Sequence, residues 1–160
     1  MKETILRLQK ILETIPQQLQ HISDEQMHDK PRPEKWSKKE IIGHLIDSAF
    51  NNYNRFIRAQ YENVPHLIYN QDAWNNLGNY QTRLNEEVIE LWQLINLQVL
   101  HALKHMDEKN YSRNCDVGRD GSDLRTIEWL AHDYVDHVEH HLHQVIESYE
   151  IGEANTYLKK

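Results

Sequence analysis

The chain has 160 residues, with eighteen Lys and Arg against twenty-five Asp and Glu and a formal net charge of -7. That length suits one domain over residues 1–160, because about 150 residues can bury roughly two thirds of the surface that the unfolded chain exposes. We expect a cytoplasmic protein without a nucleic-acid or membrane partner: it has no basic stripe, no apolar stretch of roughly 20 residues and no signal peptide.

The first half of the chain predicts two helices. Apolar side chains recur at helical spacing over residues 3–28, which indicates the first helix. Lys30–Pro33 must then be extended, because proline disfavours a helical predecessor and has no backbone N–H. Ser37 and Glu40 match a capping box, in which each side chain accepts a hydrogen bond from the backbone N–H of the other. The second helix is therefore predicted to begin there and to run to about Tyr61.

The second half predicts two further helices. Residues 62–83 show no sustained period and indicate a long connection. Residues 84–106 carry an apolar stripe and form the third helix, and a polar loop follows over 107–125. Thr126 is the expected N-cap of the fourth helix, which is predicted to reach about Glu150. The fold class is all-α: a four-helix bundle whose long crossover between helices two and three makes them parallel.

Histidine is the unusual feature of the composition, with eleven residues. At about 100° per residue, His137 and His141 lie one turn apart at the edge of the buried face of helix four. Two imidazoles so spaced can bind one ion. His44, on the flank of the apolar stripe of helix two, is the best placed third ligand. Because catalytic metal sites usually take three protein ligands, these residues predict one divalent metal ion.

Several residues keep more than one interpretation. The His pair of helix four could be merely solvated or packed, and the pair His101 and His105 is expected to serve as cations near a helix C-terminus. Asp47, one turn after His44, is a weak candidate for a general base or an acid that only orients a ligand. Cys115 could at most be a ligand or a reactive thiol. Five residues of the long connection could line a pocket or pack the crossover: Tyr69, Asn70, Gln71, Asp72 and Trp74.

Two segments resemble one family. Residues 36–48, WSKKEIIGHLIDS, resemble the second-helix motif of DinB-like proteins. Residues 136–145, DHVEHHLHQV, resemble their last-helix motif, where H-x-x-H-H supplies two ligands from its first and last His. The resemblance implies an up-down-down-up bundle, often a homodimer, that holds zinc or nickel through His44, His137 and His141. Such relatives include bacillithiol S-transferases, mycothiol-dependent isomerases and metal-dependent hydrolases.

The reaction is less narrowly defined than the site. Three neutral imidazoles leave an ion its full charge, which lowers the pKa of a bound water or thiol and polarises a substrate oxygen. Hydrolysis of a small molecule and thiol S-transfer both fit, the latter with a low-molecular-weight thiol as cofactor. Many relatives carry Glu five residues after the helix-two His, where this chain has Ala49. The alternative is a non-catalytic metal-binding or dimeric interaction bundle with a structural or vestigial site.

Overall fold

The computed structural model describes residues 1–151 and 155–156, and in this part the chain forms six α-helices and one short hairpin. The helices are α1 (Lys2–Gln20), α2 (Asp24–His28), α3 (Lys38–Arg58), α4 (Gln71–Gly78), α5 (Asn85–Lys104) and α6 (Ile127–Val145). Antiparallel strands β1 (Asn114–Asp116) and β2 (Leu124–Thr126) form the hairpin. The four long helices, α1, α3, α5 and α6, enclose the apolar core. The predicted all-α four-helix bundle is confirmed. No helix in the described residues is long and apolar enough to cross a membrane.

Side-chain contacts define the directions of the long helices. Met1 and Arg7 in the first turns of α1 bond to Glu128 and Asp136 in the first half of α6, so these two helices run in the same direction. The first turns of α3 lie beside the last turns of α6, so α3 runs the opposite way. Helix α5 runs parallel to α3. Two pairs of hydrogen-bonded residues show this: Lys39 with Arg83, and Tyr53 with Gln98.

The predicted first helix, 3–28, is wrong as a single element. Helix α1 ends at Gln20, and α2 begins after Ser23. Ser23 and Gln26 form a capping box, with N···O distances of 3.2 and 3.1 Å, which satisfies backbone N–H groups that a new helix start leaves unpaired. The N-caps predicted at Ser37 and Thr126 are both present.

The segment 62–83, predicted as a connection without regular structure, contains α4 and a 3₁₀ turn, Tyr80–Thr82. Asn70 caps α4 by accepting a hydrogen bond from the backbone N–H three residues later. Asn75 donates to a backbone carbonyl of α3 at 2.7 Å. The Tyr80 ring lies against Gly43, where a Cβ would stand 2.1 Å from the ring. This segment therefore packs closely onto α3.

Three further features differ from the prediction, the first being the end of α3, which lies at Arg58 instead of about Tyr61. The polar loop 107–125 contains the hairpin, whose turn is fixed by the Asp116 carboxylate accepting from two backbone N–H groups. Helix α6 ends at Val145 instead of Glu150, because Ile146 adopts an extended conformation that buries its side chain. Positions 152–154 and 157–160 of the predicted domain lie outside the described residues.

Candidate metal centre

The three histidines predicted as ligands converge between α3 and α6. His44 on α3 is buried, and His137 and His141 occupy successive turns of α6 with part of each side chain exposed. Their ring centroids are 4.6 to 4.9 Å apart. One ligand nitrogen from each ring lies within 4.8 Å of the others. The antiparallel packing of α3 against α6 therefore brings into one cluster side chains that are far apart in the sequence.

Burial keeps these imidazoles neutral. Desolvation, with a smaller contribution from the neighbouring His141, lowers the pKa of His44 to about 3. Burial likewise holds the pKa of His137 well below 6.5, and three neighbouring histidines, His141, His44 and His140, lower it as well. Burial also lowers the pKa of His141, although a hydrogen bond to Gln144 opposes that shift. All three rings are thus in the state that binds a metal without first losing a proton.

The donor set fits a divalent transition-metal ion. The Nε2 atoms of His44 and His137 face each other at 2.9 Å, and two neutral rings can place at most one proton between them. The buried Nδ1 of His44 has no hydrogen-bond partner, a cost that native proteins rarely carry without a functional reason. Imidazole nitrogens suit zinc, copper, iron and nickel. Within the described residues no carboxylate or thiol joins the cluster, so a bound ion would keep coordination positions for other ligands.

Gln144 fixes the orientation of His141. The Gln144 amide donates from Nε2 to His140 Nε2 at 3.0 Å, and its Oε1 lies 3.0 Å from His141 Nδ1. Because Oε1 can only accept, His141 carries its proton on Nδ1 and leaves the Nε2 lone pair free. His140 thus supports a predicted ligand through Gln144.

Two residues near His44 in the sequence have different contacts: Trp36, which precedes α3, and Asp47, which lies on it. The Trp36 ring stacks on the imidazole with centroids 4.9 Å apart and an angle of 33°. The Asp47 carboxylate is buried, and its Oδ1 accepts a hydrogen bond from Tyr80 Oη at 2.6 Å. Burial raises the pKa of Asp47, although the Tyr80 hydroxyl opposes that shift. Asp47 therefore ties the 3₁₀ turn to α3.

A cavity of about 260 Å³ adjoins the cluster, with His137 in its wall. Its polar lining comes from α3, the 59–84 connection, the hairpin turn and α6: Ser48, Asn52, Arg55, Tyr69, Gln71, Arg119, Asp123 and Asp133. Tyr69 and Gln71 were candidate pocket residues on sequence grounds. Asn70 instead caps α4, and Trp74 packs edge-on against Tyr69. The cavity therefore places one of the three histidines, His137, beside a space large enough for a small molecule.

Sequence reasoning did not identify Asp133, although a signal was present. Asp133 precedes His137 by four residues, as His137 precedes His141, so the three side chains share one face of α6.

Cys115 lies outside the cluster, buried in β1, where its thiol donates to the Pro65 carbonyl and burial raises its pKa. His101 and His105 pack against each other on the exposed end of α5.

Together, the bundle and its three-histidine cluster define a class of helical proteins with an open, imidazole-rich centre between two core helices. The family model of the DinB superfamily matches residues 7–145. The chain belongs to the DinB superfamily, as its two histidine motifs indicated.

Individual relatives agree with this assignment. YfiT of Bacillus subtilis, described as a probable metal-dependent hydrolase, is 26% identical over 156 residues, covering 91% of this chain and 87% of YfiT. The solved YfiT structure, described as an unusual four-helix bundle, superposes with a TM-score of 0.81 at 24% identity, covering 91% of this chain and 83% of that one. A mycothiol-dependent maleylpyruvate isomerase superposes with a TM-score of 0.76 at 14% identity, covering 96% and 65%. The structural likenesses establish a shared fold.

Proposed function

We propose that this protein is a metal-dependent enzyme that holds one divalent ion, zinc or nickel, through His44, His137 and His141 and acts on a small molecule. The observation that carries the proposal is the convergence of three neutral imidazoles, one of which, that of His137, lies in the wall of a cavity. A purely structural ion is usually closed off by four protein ligands. Here the donor set is three histidines and the adjoining space is lined by polar groups, which favours catalysis.

Hydrolysis is the reaction that the cavity supports best. A divalent ion at such a site supplies a strong positive charge that activates water and polarises a carbonyl oxygen. The chain itself supplies a proton acceptor, the Asp133 carboxylate, which lines the cavity one helical turn from His137. Asp47 is less well placed for that role, because its carboxylate is buried and already accepts a hydrogen bond from the Tyr80 hydroxyl. We propose Asp133 as the general base and Asp47 as a residue that positions α3.

Thiol S-transfer is the second candidate, and a separate observation favours it. Another cavity, of about 770 Å³, is lined by Trp36 and Gln144, the side chains that contact His44 and His141. Its wall carries charges of both signs, from Arg32 and Lys35 and from Glu34 and Asp72. A low-molecular-weight thiol could enter from this cavity while its electrophile occupies the one beside His137. The fold shared with a mycothiol-dependent enzyme is consistent with such a reaction.

A homodimer is also part of the proposal. Phe50 on α3 and Leu94 and Leu97 on α5 are more than two-fifths exposed, and these parallel helices pack side by side. Apolar side chains grouped on a surface are typical of protein interfaces. Light scattering should give twice the monomer mass, and Leu94→Glu with Leu97→Glu should reduce it to the monomer value. A monomeric wild type would contradict the dimer.

Cobalt substitution tests the enzyme proposal. Co²⁺ bound to three histidines should show visible absorption that changes when azide or a small thiol is added, because a coordination position is open. A larger response to the thiol than to azide would favour S-transfer. Zinc-dependent hydrolysis of 4-nitrophenyl acetate that is lost in His44→Ala and reduced at least tenfold in Asp133→Asn would favour the hydrolase. A cobalt spectrum that responds to neither ligand would contradict both reactions.

A further inference from the structure

Polar and apolar side chains have an unusual distribution in the cavity beside His137. Two polar side chains of its wall, Ser48 and Asn52 on α3, are buried, with exposed fractions of 3% and 7%. Two large apolar side chains of the same wall, Ile68 and Trp129, are instead 46% and 43% exposed. The two polar side chains therefore lie deeper than the two apolar ones. Folding alone favours the reverse order, because burial removes apolar surface from water and costs free energy for polar groups.

The apolar side chains come from three separate segments. Ile68 belongs to the connection that leads into α4, Val117 follows β1, and Trp129 lies in the first turn of α6. Leu67 packs against the core, whereas its neighbour Ile68 is exposed. Single apolar side chains are common on protein surfaces, but a group of them is typical of a binding site. We call Ile68, Val117 and Trp129 the apolar rim of this cavity.

Protein contacts hold Trp129 in position. Its backbone N–H donates to the hydroxyl of the N-cap Thr126 at 3.1 Å. The Arg125 guanidinium lies over the indole ring, 4.5 Å from the centroid, and pairs with the Asp123 carboxylate at 2.8 Å. A cation over the face of a Trp ring is a stabilising contact. The ring is thus oriented before a ligand arrives, which reduces the entropy lost on binding.

The charged side chains of the cavity wall interact with other groups of the protein. They are Arg55, Arg119, Asp123 and Asp133. The guanidinium groups of Arg55 and Arg119 donate to backbone carbonyls. Asp123 pairs with Arg125, and the Asp133 carboxylate favours the charged form of Arg55. Two cations and two anions give the wall no net charge, so contact with the apolar rim is the stronger basis for selecting a ligand.

We propose that this cavity binds its substrate through an aryl group, which packs against the apolar rim while the polar group that reacts lies toward Ser48, Asn52 and His137. An aromatic ring gains from edge-to-face or offset contact with an indole beyond the area that it buries. A volume of about 260 Å³ restricts the ligand to roughly one ring with a short polar substituent. This inference rests on the proposed function, because it takes the cavity to be the substrate site of the three-histidine centre.

The test is a calorimetric titration of zinc-loaded and zinc-free protein with benzamide and with acetamide. Both are neutral primary amides, so the ratio of their affinities reports the contribution of the aryl group. Benzamide should bind at least about tenfold more tightly than acetamide. Trp129→Ala should reduce that ratio to less than about threefold, and Trp129→Phe, which keeps an aromatic ring, should retain most of it.

Ile68→Ala provides a second variant of the apolar rim, and Leu124→Ala is its matched control. Leu124 is an aliphatic residue of the hairpin that is also more than two-fifths exposed, but it does not line this cavity. Ile68→Ala should weaken benzamide binding several-fold, whereas Leu124→Ala should leave it unchanged. Should Trp129→Ala fail to fold, Ile68→Ala and Trp129→Phe still decide the outcome, because an unchanged benzamide affinity in Ile68→Ala would count against the proposal.

Other outcomes separate this inference from the proposed function. Equal affinities for benzamide and acetamide in a wild type that binds zinc would overturn the aryl site and leave the metal-dependent enzyme standing. A preference for benzamide that depends on Trp129 in a protein that retains no zinc would support the aryl site and contradict the metal-dependent enzyme. A changed mass of Trp129→Ala in light scattering, with unchanged benzamide binding, would assign the apolar rim to a protein contact and overturn the inference.

Discussion

Replacing Gly43 by Ala tests the close packing of the connection against the helix that carries His44. An added Cβ would stand 2.1, 2.4 and 2.7 Å from three carbon atoms of the Tyr80 ring, well inside van der Waals contact. The ring would have to move, and its hydroxyl would lose the 2.6 Å hydrogen bond to Asp47. Asp47 is buried and its Oδ2 already has no hydrogen-bond partner, so the loss leaves a poorly solvated carboxylate.

The size of the effect follows from three contributions. Overpacking typically costs about 1–3 kcal/mol, and a lost hydrogen bond to a charged group about 1.5–3 kcal/mol. The better helix propensity of Ala offsets about 1 kcal/mol. The net loss in the free energy of unfolding should be about 2–5 kcal/mol, which for a domain of this size lowers the Tm by roughly 4–20 °C.

Urea unfolding of Gly43→Ala, Tyr80→Ala and the double variant measures the coupling between the two positions. If contact with the Tyr80 ring causes the loss of stability, Gly43→Ala should lower the free energy of unfolding much less in the Tyr80→Ala background. The coupling energy between the two positions should then be at least about 1 kcal/mol. Tyr80→Phe isolates the contribution of the hydroxyl. A Gly43→Ala variant within about 0.5 kcal/mol of wild type, or an equal loss in both backgrounds, would refute this reasoning.

Three further predictions concern the metal centre and its supports. Since burial lowers the pKa of all three histidines, zinc affinity measured by chelator competition should change less than about threefold between pH 7 and 6, whereas ordinary histidines would lose about thirtyfold. Gln144→Ala should weaken zinc binding roughly ten- to a hundredfold and leave the Tm of the metal-free protein unchanged; an unaltered affinity would contradict its orienting role. Arg7→Gln removes the ion pairs of Arg7 with Asp136 and Glu139 and should lower the free energy of unfolding by about 3 kcal/mol at pH 7. Burial alone would raise the pKa of Asp136, but hydrogen bonds from Thr156 and Arg7 hold it below 3.8, so this stability is present above pH 3.8 and is lost as the pH falls below that value. If Arg7→Gln lowered the free energy of urea unfolding equally at pH 5 and pH 3, the stability could not depend on the ionised Asp136.

Local signals in the sequence were sufficient for most helix boundaries. The capping box at Ser37 and the N-cap at Thr126 depend on residues within one turn, and both are present. The capping box at Ser23 was equally visible, but apolar spacing continued across the break and concealed it. Helix α4 could not be inferred in the same way. Its position depends on contacts with α3, namely Asn75 with a backbone carbonyl and the ring of Tyr80 on Gly43.

The candidate site likewise combines features that depend on one helix with features that depend on contacts between distant segments. The spacing of His137 and His141 is a property of one helix, so it could be read from the sequence, and Asp133 continues that spacing. The setting of Arg55 could not be read in this way. Its orientation is fixed by the Leu67 carbonyl, and the cavity that it lines is completed by Arg119 on the hairpin turn. Such contacts depend on how distant segments pack.

The most direct measurement is the zinc content of purified protein after dialysis against added zinc, with two matched double variants. His137→Ala with His141→Ala removes a histidine pair at the site, and His101→Ala with His105→Ala removes a pair of the same spacing on α5. We predict one ion per chain in wild type and in the α5 variant, and less than a tenth of that in the site variant, which should remain helical by circular dichroism. Equal zinc in the two variants, or no zinc in the wild type, would contradict the proposed metal centre.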